Sequence, residues 1–140
     1  MRYDIDLIQQ LCREVGLPST SHADERVDIE LRPGIVLRFQ NAERDEDCLV
    51  EFPGTPWHTH DEFMFADGRG YYVELDYLDV LTGLTDGRVL ICELRKNGQI
   101  MDRSLIHRDY NDEFKYMEED EEIVVFRAAR TDRGTLGERA

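Results

Sequence analysis
Trp57-His58-Thr59-His60-Asp61-Glu62 is the densest gathering of chemically capable side chains in the sequence. Two imidazoles at i and i+2 of an extended segment point to the same side, with carboxylates directly after them, so a divalent metal is one chemistry the segment could support. The same residues read two other ways. Trp57 can seal the edge of a core while the histidines bond backbone in a long loop. Or Trp57, Asp61 and Glu62 can form a contact surface, since an aromatic flanked by polar groups is typical of residues that anchor a partner.

Gly54 and the His-x-His resemble the first motif of the cupins, which supports a metal on a β-barrel. That motif sets its glutamate several residues beyond the second histidine, where this chain has Met64; Glu62 stands only two beyond His60. With that ligand missing, neither a metal nor any other cofactor is expected. His58, His60 and the later His107 are the ligands a metal-binding protein or metal-dependent enzyme would use.

Other catalytic signatures are absent. There is no Gly-x-Ser-x-Gly, no phosphate-cradling glycine loop and no calcium loop register, and Asp67-Gly68-Arg69-Gly70 fits none of these. No enzyme is expected.

The second outlier is Asp109 to Glu122. It holds eight acids against Lys115, a net of −7, which is half of the chain's −14. Tyr110, Phe114 and Tyr116 interleave Asp112, Glu113, Glu118, Glu119, Asp120, Glu121 and Glu122. Stiff aromatic anchors beside charge suit a surface that steers and then grips a basic protein. The plainer reading is a solvated face. The stretch Asp61 to Asp79 carries a further net of −5.

These residues need a scaffold. Ile5, Ile8, Leu11, Cys12 and Val15 recur at helical spacing within Asp4–Val15, and Gly16 and Pro18 stop the helix. Val27, Ile29 and Leu31 alternate as a strand. Pro33-Gly34 turns into a second strand, Ile35 to Phe39, and Cys48 to Phe52 is the third. Leu17 to Asp24 reads as a polar connector and Pro53 to Tyr72 as irregular. Val73, Tyr77, Val80, Leu81 and Leu84 restore helical spacing up to Asp86-Gly87. Val89 to Arg95 and Ile100 to His107 flank Asn97-Gly98, a strong hairpin signal, and Ile123 to Phe126 is the last strand. The expectation is an α+β domain over residues 1–129: a mostly antiparallel sheet of about six strands with two helices packed on it. Residues 130–140 read as a mobile tail.

A chain of 140 residues with 41% hydrophobic content can bury a core without disulfides. Cys12, Cys48 and Cys92 each sit in an apolar segment and are expected as reduced core residues. The acidic N-terminus is unlike a signal peptide, no apolar run is long enough to span a membrane, and a cytoplasmic location is expected. A charge of −14 repels nucleic acid and anionic membranes and favours a basic partner.

In size, acidity and organisation the chain resembles the bacterial immunity proteins of polymorphic and contact-dependent toxin systems. That resemblance implies stoichiometric inhibition, an acidic face covering the basic cleft of a cognate toxin domain such as a nuclease.

Overall fold
The computed structural model describes residues 2–60, 62–112 and 117–129. The fold is α+β. Among the described residues there are two α-helices and ten antiparallel strands in three sheets.

Helix α1 (Ile5–Val15) starts at Asp4, whose carboxylate accepts from the Leu7 N–H at 3.1 Å. It ends at Gly16, where φ is +82° and the N–H donates to the Cys12 carbonyl at 2.9 Å. A left-handed residue is what this closure requires, and glycine adopts it without strain. Ile5, Ile8 and Cys12 form the buried face, which lies on β1 (Ser19–His22) and β2 (Arg26–Arg32). Burial pushes the Cys12 thiol up to about 12 although Arg13 pulls it down, so it behaves as a small apolar side chain.

Strands β1, β2, β3 (Ile35–Gln40), β4 (Leu49–Glu51) and β5 (His58–Thr59) pair in chain order as a five-stranded antiparallel meander. The register sets Val27 opposite Phe39 and Ile29 opposite Leu37, which turns one face of every pair inward. Phe39 is fully buried and meets the edge of Tyr3 at 5.2 Å. Asn41 ties the N-terminus down. Its amide accepts from the Tyr3 N–H at 2.7 Å and donates to the carbonyls of Tyr3 and Asp24.

Strands β6 (Phe63–Ala66) and β7 (Tyr72–Leu75) make a separate two-stranded sheet. Helix α2 (Tyr77–Asp86) follows, capped by Asp76 through the Asp79 N–H at 2.8 Å. Strands β8 (Val89–Lys96), β9 (Gln99–His107) and β10 (Glu121–Phe126) form the third sheet, in the order β10-β8-β9. The β8–β9 turn has positive φ at both Asn97 (53°) and Gly98 (80°), the geometry that its Asn-Gly pair predicts. One buried cluster draws on all three sheets and both helices.

The differences from the sequence expectation have local causes. The connector at Leu17–Asp24 contains β1, whose polar residues alternate at an edge. The irregular middle contains β5 and β6, too short to show a period. Val73 belongs to β7 and not to the helix, because the Asp76 cap starts α2 at Tyr77. The tail predicted at 130–140 lies outside the described residues.

Candidate functional site
Asp102, on β9, organises the segment that the sequence singles out first. Its Oδ1 accepts from the Trp57 N–H at 3.0 Å and from the Arg103 N–H at 2.9 Å. Thr55 holds the same segment by donating its hydroxyl to the Phe52 carbonyl at 3.0 Å. Trp57 is half-buried, and its ring lies against Phe52 (5.7 Å) and Phe63 (6.4 Å). It therefore closes the core edge while one side of it lines a cleft.

That cleft, about 460 Å³, lies between β6 and β9. Trp57, His58, Phe65, Asp102, Tyr110 and Asp112 are among the residues around it. A second groove of about 350 Å³ adjoins it, shares Asp102, Ser104 and Asp112, and adds Met117, Glu121 and Ile123. Among the described residues, the lining of the two grooves includes three carboxylates and neither lysine nor arginine.

Two stretches singled out separately in the sequence thus meet at one place. A run of ring contacts connects them: Trp57 to Phe63 (6.4 Å), Phe63 to Phe65 (6.2 Å), Phe65 to His107 (5.8 Å) and His107 to Tyr110 (5.2 Å). Rings at such spacings supply stiff apolar area that loses little entropy when a partner covers it.

The acidic run is divided by the fold. Asp112 is exposed and lines the cleft, and Glu121 is half-buried at the second groove. Glu118, Glu119, Asp120 and Glu122 are exposed beside β8. Lys96 Nζ lies 3.8 Å from Glu118 and 3.6 Å from Asp120, which offsets part of the charge there. Glu62 is exposed but lines neither groove. Asp61, Glu113, Phe114 and Tyr116 lie outside the described residues.

The three histidines take separate roles. His58 and His60 meet edge to face at 5.1 Å, and each sets Nδ1 3.0 Å from a backbone carbonyl, Pro56 and Cys48 respectively. Nδ1 is therefore the protonated nitrogen in both. Among the described residues no group of three or more histidines, cysteines or acids is placed to hold a metal. His107 belongs to the ring run instead.

His107 is 5% exposed, and its Nδ1 accepts from the Asp109 N–H at 3.0 Å. Burial holds its pKa below the ordinary 6.5; Asp109 pulls it back up, and Arg108 and Arg88 push it further down. The unfolded chain therefore binds the proton more readily than the folded one, and the stability due to the neutral ring is complete above pH 6.5. It should fall as the pH drops through the depressed folded value. Urea denaturation across that window should show the fall, and His107→Phe should flatten it. An equal slope in the variant would assign the effect to other groups.

Sequence reasoning missed three structural polar groups: Asn41, Asp102 and Glu93. Glu93 is 2% exposed on β8 and meets Arg95 Nη2 at 2.6 Å and Arg103 Nη2 at 2.7 Å. Burial alone would raise its carboxyl, but the hydrogen bonds and charges of Arg95 and Arg103 outweigh that and hold it below its ordinary value. The available signal was an acid on the Ile91-Glu93-Arg95 side of a strand; the Asn97-Gly98 turn alone would set Glu93 opposite Asp102, and the register shift between Leu94 and Arg95 brings Arg103 there instead. No helix among the described residues is long and apolar enough to cross a membrane. In comparisons with known proteins, no family model matches this chain, and neither a curated protein nor a solved structure matches it.

Proposed function
We propose that this protein is an acidic binding and inhibitory module for a basic protein, acting as an immunity protein that neutralises a cognate toxin domain by stoichiometric binding. The observation that carries the reading is the joined pair of grooves, where Trp57 and Tyr110 stand beside Asp102, Asp112 and Glu121 with no lysine or arginine among the described residues of the lining. Carboxylates on such a surface raise the encounter rate with a basic partner, and the half-buried rings hold it after encounter. The partner's own basic cleft, once covered, is closed to its substrate.

The test is co-expression with the basic C-terminal domain of a secreted protein encoded beside this chain. Growth should be restored, and the purified pair should associate one to one without turnover. Association should slow steeply toward roughly 0.5 M salt, where exposed charges are screened within a few ångströms. Unrelieved toxicity, or an association rate indifferent to salt, would remove this reading.

A further inference from the structure
The cleft has strand edges on both banks. Phe63 to Ala66 of β6 form one side and Ser104 to Ile106 of β9 the other, yet the two strands belong to different sheets and are not paired with each other. The Asp67 N–H donates to the Tyr71 carbonyl at 3.0 Å, so the hydrogen-bonded pairs of this hairpin continue at Phe65–Val73 and Phe63–Leu75. By that alternation the amides and carbonyls of Met64 and Ala66 point away from β7. On β9 the Arg103 N–H is taken by Asp102 Oδ1 and its carbonyl by the Thr55 hydroxyl (3.5 Å), which turns Arg103 away from β8. Leu105, two residues on, faces the same way. Among the described residues, neither edge has a second strand partner.

We propose that the cleft takes an extended basic segment of a protein partner as an added strand between β6 and β9, its cationic side chains meeting Asp102 and Asp112. This rests on the binding reading above and names how the partner is held. Backbone bonds to Met64, Ala66 and Leu105 would fix the segment's register, as in other strand additions. The carboxylates select its charge, because a segment bearing acids would leave like charges opposed across a short gap. Met64, 63% exposed, stands at the rim as an adaptable apolar contact for the alternate side chains.

The probe is a capped peptide of alternating valine and arginine, added to the full chain and followed by amide shifts and hydrogen exchange. Met64, Ala66 and Leu105 should shift and gain protection. A valine–glutamate peptide, and a valine–arginine peptide with alternate amides methylated, should each bind at least about tenfold more weakly. Ala66→Pro removes one outward donor at an edge where proline is tolerated, so the fold should persist while binding weakens about tenfold; Asp112→Asn should weaken it too. Shifts elsewhere, equal binding of the methylated peptide, or an indifferent Ala66→Pro would overturn the proposal. Protection of the same amides by self-association, without peptide, would assign the cleft to a second copy and overturn it as well. A toxin still neutralised by Ala66→Pro would remove the added strand and leave the inhibitory reading. Peptide binding without any neutralised toxin would do the reverse.

Discussion
Glu93→Ala is expected to lower folding stability by about 3–5 kcal/mol, the largest single-residue effect that the polar groups of this fold should show. The carboxylate sits between two guanidiniums on the inner face of the β8–β9 pair. Arg95 is 35% exposed and can return to water, but Arg103, 14% exposed and 6.0 Å from the Phe52 ring centroid, cannot do so easily. Removing Glu93 leaves that charge desolvated and uncompensated, which is where most of the loss arises. Glu93→Gln keeps the shape and one acceptor and should fall between wild type and alanine. Because the carboxyl lies below its ordinary 4.5, its contribution is complete above that pH and is lost as the pH falls through the folded value. Urea titrations at neutral pH and near pH 4 provide the check. A drop under about 1 kcal/mol in the alanine variant would mean that both arginines escape to solvent.

Reversing Asp112 and Glu121 to lysine together is expected to slow association with a basic partner by about ten- to a hundredfold at low salt. Reversing Glu119 and Glu122, equally acidic but outside both groove linings, should slow it by less. Sequence alone makes the two pairs equivalent, so the contrast isolates what the fold adds. Glu121 also accepts from the Glu118 N–H at 2.9 Å, and Glu121→Gln, which keeps that bond, serves as the control for a disturbed turn. Stopped-flow association at several salt concentrations separates the cases. Equal slowing by the two reversals would show that the partner responds to net charge and not to the grooves.

The contrast between those pairs marks how far the sequence was legible. Helix α1 and the β8–β9 hairpin could be read because each repeats its signal: an apolar stripe closed by Gly16, and two strands flanking Asn97-Gly98. Strands of two to four residues, such as His58–Thr59 and Phe63–Ala66, offer at most two periods and are fixed by their neighbours. The division into three sheets was illegible for the same reason. Of the site, the residue types were visible at Trp57 and Tyr110, but their meeting was not, since it depends on the intervening rings of Phe63, Phe65 and His107. Asp102 gave no signal at all; an aspartate in a polar strand is ordinary until its carboxylate is seen holding the Trp57 backbone.

The β6–β7 hairpin has no hydrogen-bonded ladder to either neighbouring sheet among the described residues. A two-stranded ribbon is marginal in isolation, so Phe63 and Phe65 hold this one in place chiefly by being squeezed. The position of the hairpin is thus set by the side chains it shares with the one buried core and not by a ladder.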